Sequence, residues 1–445
     1  MLRVILTALT MTRAGDGLPV KSPTEVGMSS TRLGAIERVV ERGIKAGGYP
    51  GASVIVGRKG AAVFEKGFGK LSWSENSTPV DAQRTIYDIA SLSKVVGTTT
   101  AIMILFDEKK IGLDDPVVNY IPTFGGGDKD KVTIRQLLTH TSGLPAGRDI
   151  WRIAQTPLEA RALVLNTPLE GRPGAQYIYS DLGADVLGLL IEVVSGEPLD
   201  KFLTRRVFEP LGMNETMYRP ADSLKYRIAP TEVTPPRGYP LRGEVHDENA
   251  YALGGVAGHA GLFSTAADLS VFAQMMLNGG EYNGVQIITK PTVELFTSRA
   301  FGHRALGWDT AEGDYGSGRY LGPTAYGHTG FTGTSMWIDP EREMFVILLT
   351  NRVHAARALR PAKVISDVRA DLSDAAVLSV LDGPKLASGS KAFRADREVG
   401  WNPPPRASRR RHGSSRHHTI ASATSRSRAS TAKKSASKKA SKKSR

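Results

Sequence analysis

The spacing of apolar residues changes twice along this chain, and that change restricts the fold more than any other feature. After a polar lead, TRLGAIERVVERGIKAGG carries apolar residues at helical spacing and closes on Gly-Gly, as a helix C-terminus does. GASVIVGRKGAAVFEKGFG then reads as two strands about a Gly-containing turn, a hairpin. From about residue 91 to 300 the pattern is mainly helical, in segments such as SLSKVVGTTTAIMILFDEKK, TIRQLLTH, LGADVLGLLIEVVSG and PLDKFLTRRVFEPLGM separated by Pro and Gly loops. Strand-like sequence returns from about 318 in TGTSMWIDP and REMFVILLTN, and a last helix is expected around 355–380. Strands at both ends with helices between imply an α/β (α+β) fold: one antiparallel sheet built from both chain termini, flanked by helices, with a mainly helical subdomain inserted into it.

At 445 residues and 40% hydrophobic content the chain can bury a large core as one domain or two closely joined ones. It has no cysteine, which excludes disulfides, thiolate zinc sites and a cysteine nucleophile together. The net charge of +14 suggests nucleic acid until it is located: residues 402–445 hold 14 Arg and Lys and no acid, leaving 44 bases against 44 acids elsewhere. The body is therefore neutral. The segment ending AKKSASKKASKKSR has little apolar surface to bury and is expected to be disordered. Such a tail can contact nucleic acid, anionic lipid or wall polymer by charge alone, or be solvated with no dedicated partner. The opening MLRVILTALTMTRAG is at most a weak or degenerate secretory signal, having a short apolar run and no Ala-x-Ala site. No run approaches the ~18 apolar residues of a membrane-spanning helix. The division expected is a lead at 1–24, a folded domain at 25–385 (sheet from about 50–70 and 318–352, helical subdomain about 91–300), and a linker with basic tail at 386–445.

Ser91-Leu92-Ser93-Lys94 fits Ser-x-x-Lys, but so do Ser388 to Lys391, Ser430 to Lys433 and Ser435 to Lys438. Only Ser91 opens a long apolar-periodic helix, where a three-residue offset sets both side chains on one face and the Ile89-Ala90 approach buries them. The free N–H groups and dipole of a helix N-terminus also favour the negative charge that develops when a hydroxyl attacks a carbonyl. A plain N-cap with Lys94 in solvent is the competing structural reading. Two further segments weigh against it. Tyr179-Ser180-Asp181 falls between the loop GRPGAQYIYS and the helix LGADVLGLLIEVVSG, so Tyr179 can project from a loop edge into a cleft. His328-Thr329-Gly330 begins the strand-like GHTGFTGTSMWIDP, whose small residues allow close approach of a ligand to the backbone.

In that order and on those elements, the three motifs make the chain resemble the penicillin-recognising serine hydrolases, the group of class C β-lactamases, DD-carboxypeptidases, D-aminopeptidases and related esterases. The resemblance spans about 25–355 and includes VTIRQLLTHTSGLP at 132–145, AGLFSTAADLSVFAQMML at 260–277 and GHTGFTGTSMWIDPEREMFVILLTNR at 327–352. It implies a β-lactamase/transpeptidase-like fold with Ser91 as nucleophile, Lys94 as the adjacent amine and Tyr179 as the phenol. It also implies an oxyanion hole at the backbone N–H groups of Ser91 and Phe331, and substrate contacts at Asp181, His328, Thr329 and Gly330. It calls for no cofactor and no metal.

The chemistry explains these residue types. A serine hydroxyl needs a positioned base, and a second base event must activate water to release the acyl group. Tyrosine, ionising near ~10, can serve if a cation such as Lys94 stabilises its phenolate; alternatively a desolvated, neutral Lys94 is itself the base. Two departures shape the substrate. His-Thr-Gly stands where class C β-lactamases have Lys-Thr-Gly, which favours a peptidase or esterase role, with protonated His328 still able to meet a carboxylate. Asp181 stands where Asn is commoner; an aspartate only accepts hydrogen bonds and raises the pKa of Lys94, which argues against a neutral Lys94.

Other polar residues are read structurally: His140 as a turn-stabilising histidine, Thr265 with Asp268 as a helix-capping pair, and Asp339-Pro340 as a turn. The loop with His246, Asp247, Glu248 and His259 lacks an i, i+4 ligand pair and reads as a Gly-rich cleft wall rather than a metal site. The expected function is thus an acyl-enzyme serine hydrolase, a DD-carboxypeptidase/D-aminopeptidase-like peptidase or esterase acting on a small-molecule or peptide substrate. The alternatives are a β-lactamase proper and a non-turnover penicillin-binding protein carried by its tail to an anionic surface. Cell envelope, periplasm or secretion is the expected location, with the cytoplasm as alternative; nothing in the sequence bears on oligomeric state.

Overall fold

The computed structural model describes residues 17–311, 316–354, 361–386 and 392–401. The basic tail, the first sixteen residues and the three other Ser-x-x-Lys matches lie wholly or partly outside them.

Six antiparallel strands form the main sheet: β1 (Gly51–Arg58), β2 (Ala61–Gly69), β3 (Asp309–Thr310), β4 (Tyr326–Thr329), β5 (Ser335–Asp339) and β6 (Met344–Thr350), in the order β2-β1-β6-β5-β4-β3. The hairpin β1-β2 turns through Lys59 and Gly60, both at positive φ (48° and 79°), the backbone pair that matches the right-handed twist of the flanking strands. β1 pairs with β6 from Ala52 opposite Thr350 to Arg58 opposite Met344, so the sheet's centre joins the two ends of the fold. Both strands are buried along their whole length. Their β-branched residues alternate between two cores, each fully buried side chain contributing about 1.5–3 kcal/mol. Ala52, Val54 and Val56 face α1 (Ala35–Lys45) and α5 (Lys363–Ser379), while Ile55 faces the larger core under the helical subdomain.

That subdomain includes α2 (Thr100–Asp107), α3 (Asp181–Ser195) and α4 (Ala266–Leu277). The helix expected from Ser91 begins with a wider π-helical turn, Lys94–Thr99, before continuing as α2. A second small sheet had no legible signal: Tyr87–Asp88, Leu262–Ser264 and Met217–Tyr218 pair antiparallel, tying the chain just before Ser91 to the Gly-rich loop. The folded body also continues past 385, because Trp401 is buried with Nε1 donating to Asp367 (2.8 Å) and the Ala395 amide donating to Asp371 (2.6 Å). Among the described residues no helix is long and apolar enough to cross a membrane.

Candidate active site

Ser91 follows a fastened approach. Asp88 is buried and accepts from the amides of Ala90 (2.8 Å) and His246 (2.7 Å), burial pushing its carboxyl above the usual range against those bonds. Ala90 has φ 48°, a left-handed backbone that an alanine adopts only under constraint, and it sets the direction in which the chain enters the helix. Across from it, Thr332 Oγ1 donates to the Asp88 carbonyl (2.8 Å) and Thr334 Oγ1 to that of Ile89 (3.0 Å). The β4-β5 turn is thereby pinned to the approach. Gly330 makes this possible, since a Cβ there would stand 2.5 Å from the Ile89 oxygen and 2.1 Å from Thr334 Oγ1. From behind, Arg369 of α5 donates to the carbonyls of Gly330 (2.6 Å) and Thr334 (2.9 Å). Burial lowers its guanidinium to about 9.

Lys94 is turned inward, 4% exposed, and its Nζ reaches three oxygens: Ser91 Oγ at 3.0 Å, the His259 carbonyl at 3.0 Å and Asp181 Oδ1 at 2.6 Å. Nζ donates to the first two, and its contact with Asp181 is an ion pair that calls for the ammonium form. Burial opposes that charge, but Asp181 and Tyr179 outweigh it and hold Lys94 above the ordinary lysine range. Nζ also lies 5.0 Å from the centre of the Tyr179 ring.

Tyr179 is positioned by the HTSGLP loop. The Ile178 amide donates to the His140 carbonyl (2.9 Å), the Ser180 amide to His140 Nδ1 (3.1 Å), and Ser180 Oγ to the Pro145 carbonyl (2.6 Å). Ser180 also caps α3 by accepting from Gly183 N (3.2 Å), so one residue fixes both the end of the Tyr179 segment and the start of the helix bearing Asp181. His140 sits at φ 55° with its ring centroid 4.6 Å from that of Tyr179. Burial, with Arg304, Lys94 and His328 nearby, keeps it well below its usual pKa; it is neutral, with Nδ1 the acceptor.

His328 is the other side of the site, 6.0 Å from Tyr179 between ring centroids. Its Nδ1 lies 2.8 Å from the Thr329 carbonyl and therefore carries the proton, leaving Nε2 as a buried lone pair without a partner. Burial, only partly countered by Asp309, brings its pKa down to about 4. This corrects the expectation of a protonated His328 receiving a carboxylate: near neutrality the residue presents an acceptor.

The structure thus brings Ser91, Lys94, Tyr179, Asp181 and His328 together, with Thr329 and Gly330 on the strand edge beside them. The Phe331 side chain is half exposed, its ring stacked with His246 at 5.7 Å and covered by the Arg352 guanidinium at 5.0 Å. The Gly-rich loop is more than a wall: His259 lies between Asp185 and Asp247, a charged knot invisible in the sequence because its members are 74 and 12 residues apart. Thr265 Oγ1 accepts from Asp268 N (3.1 Å) at the start of α4. A separate cavity of about 540 Å³, lined by Trp151, Tyr251, Arg219 and Lys225 among others, does not include these residues. Its cations are already paired, Arg219 with Asp200 and Lys225 with Asp222.

An antiparallel sheet joined from both chain ends, helices packed on it and an inserted helical subdomain define the β-lactamase/transpeptidase-like fold. The Beta-lactamase family model matches residues 36–369, and the chain belongs to that family. A curated protein from Escherichia coli (strain K12), described as "Putative D-alanyl-D-alanine carboxypeptidase", is 34% identical over 399 residues, covering 80% of this chain and 91% of that protein. Among solved structures, a penicillin-binding protein homolog from Caulobacter crescentus superposes with a TM-score of 0.63 at 23% identity, covering 79% of this chain and 99% of that one. The hydrolase EstCE1, described as having promiscuous acyltransferase activity, gives the same TM-score and identity over 78% of this chain and 99% of its own. At those identities the structural likeness speaks to the fold.

Proposed function

We propose that the chain is a serine hydrolase that forms an acyl-enzyme on Ser91 and acts as a DD-carboxypeptidase/D-aminopeptidase-like peptidase or as an esterase on small amides or esters. The observation that carries this is the inward Lys94, within hydrogen-bonding reach of Ser91 Oγ and committed to Asp181. With Lys94 held as an ammonium beside Asp181, the Ser91 proton goes to the Tyr179 phenol oxygen, for which that ammonium is the counter-charge. Ser91 Oγ bonds to the substrate carbonyl carbon; the oxyanion is received by the amides of Ser91 and Phe331. Collapse breaks the bond to the leaving group, which takes the proton from Tyr179. Water then attacks the acyl-enzyme, giving its proton to Tyr179, and the acid departs as Ser91 is reprotonated. Asp181 holds Lys94, while His328, Thr329 and Gly330 line the substrate's edge. The curated relative's name supports a peptidase substrate.

The test is covalent labelling by a fluorescent penicillin or a fluorophosphonate, comparing wild type with Ser91→Ala. Labelling is expected to disappear in the variant; equal labelling rules out Ser91 as nucleophile. A rate panel of chromogenic cephalosporin, short-chain nitrophenyl ester, D-alanyl-D-alanine peptide and D-amino-acid anilide then ranks the substrate classes.

A further inference from the structure

One of the three oxygens that hold Lys94 is a main-chain carbonyl, that of His259, at 3.0 Å. A carbonyl aims an ammonium only as well as its own backbone is fixed. This stretch is fixed closely: Thr98 Oγ1 donates to the Gly258 carbonyl (2.6 Å), and the Leu262 amide donates to Ser93 Oγ (3.1 Å). Gly258 also passes so near Ala184 that a Cβ would lie 1.9 Å from its carbonyl oxygen.

Between these points the His259 side chain, itself buried, sets Nδ1 2.7 Å from Asp185 Oδ1 and Nε2 2.9 Å from Asp247 Oδ1. Carboxylates facing both ring nitrogens require both to donate, which only the imidazolium can do. The His259 amide adds a bond of 3.3 Å to the same Asp185 oxygen. Asp185 stands one helical turn after Asp181, so a single face of α3 offers one carboxylate to Lys94 and the next to His259.

We propose that His259 is a positioning residue for the Ser91–Lys94 pair: its charged ring, gripped by Asp185 and Asp247, fixes the carbonyl oxygen that directs the Lys94 ammonium at Ser91. The proposal rests on the reading of Ser91 as nucleophile. Burial alone would strip the ring of its proton, but the two carboxylates reverse that and hold His259 well above the ordinary histidine range. Asp247 is correspondingly held far below the usual carboxylate range. The other groups facing the knot are Lys94, His246 and Arg237 on the Asp247 side, the Arg161–Glu192 pair on the Asp185 side, Asp88 on the Tyr87–Asp88 strand, and Tyr218, whose hydroxyl donates to the Ala257 carbonyl (3.2 Å).

The test uses Asp247→Asn in the full chain. Asn retains an oxygen for its bond from the Ala250 amide (2.8 Å), and Asp247 touches neither Ser91 nor Lys94. Removing one of two carboxylates lowers the pKa of His259, so the alkaline limb of kcat for nitrophenyl ester hydrolysis is expected to move down by about 1–2 pH units. KM should stay within about twofold, because the loss falls on the acylation geometry. His259→Asn is expected to lower kcat at pH 7 about tenfold or more through misplacement of Lys94. An alkaline limb in Asp247→Asn coincident with wild type, or a folded His259→Asn with wild-type kcat, overturns the proposal. Failure of the Ser91 reading shows separately, in the Ser91→Ala labelling, which does not depend on His259.

Discussion

Gly330→Ala is the substitution whose effect the geometry fixes most closely. The added Cβ would stand 2.5 Å from the Ile89 carbonyl oxygen and 2.1 Å from Thr334 Oγ1, whereas ordinary contact begins at 3.4 Å. Thr334 can rotate, at the loss of its bond to that carbonyl (3.0 Å). Ile89 cannot readily move: it is fully buried, and its oxygen also accepts from the Leu92 amide (3.1 Å) at the start of the Ser91 helix. The turn carrying Gly330 and Phe331 therefore backs away by roughly 1 Å, a displacement that can cost about 100-fold in rate. A lost oxyanion donor costs a similar factor. The expected result is a kcat/KM for nitrophenyl ester hydrolysis reduced about 100-fold, or about 2.7 kcal/mol of transition-state stabilisation, with fluorophosphonate labelling slowed in proportion. Circular dichroism and the thermal midpoint report whether the fold survives. A folded Gly330→Ala enzyme within about threefold of wild type would refute the placement of the oxyanion site against this turn.

Two other substitutions probe the electrostatics. Asp181→Asn removes the carboxylate 2.6 Å from Lys94 Nζ; burial then prevails and the ammonium is lost at lower pH, so the Lys94 titration followed by NMR is expected to move down by about 1–3 pH units, and an unmoved titration contradicts the assignment of Lys94 as the supporting cation. Asp268 is pushed up to about 7 by burial, despite accepting from Thr216 Oγ1 and the Glu215 amide. Between its unfolded value of 3.8 and 7 the folded state binds the extra proton, so wild-type stability falls as pH rises through that window by up to about 4 kcal/mol. Asp268→Asn has no such ionisation. Its thermal midpoint relative to wild type should rise between pH 4 and pH 8, and a constant difference rejects the buried, protonated Asp268.

Legibility in the sequence followed the range of the interaction. Ser91 and Lys94 share a helix face three residues apart, and the hairpin at 51–69 declares itself by alternation and a Lys-Gly turn; both are local. Tyr87–Asp88 is a two-residue strand, too short for any period to register. His328 was read by its residue type, but its protonation is decided by burial and by Arg304 and Asp309, set close to it by the fold. His259 was unreadable for a different reason. Its contact with Lys94 is through a carbonyl every residue possesses, and its carboxylates come from a helix 74 residues upstream and a loop 12 residues upstream. Trp401 lies in Pro-rich, charged sequence that resembles linker, and only the Asp367 partner on α5 gives its indole a reason to be buried.

The pairing of β1 with β6 has a consequence for synthesis. Ala52 meets Thr350 across the sheet, so the ribosome must deliver nearly the whole body before the central strand acquires its neighbour on that side. Until then a buried-type apolar strand with an open edge persists on the nascent chain, and closing so long a loop is slow. Holdase chaperones that shield the N-terminal hairpin during translation are accordingly expected to raise the yield of folded protein.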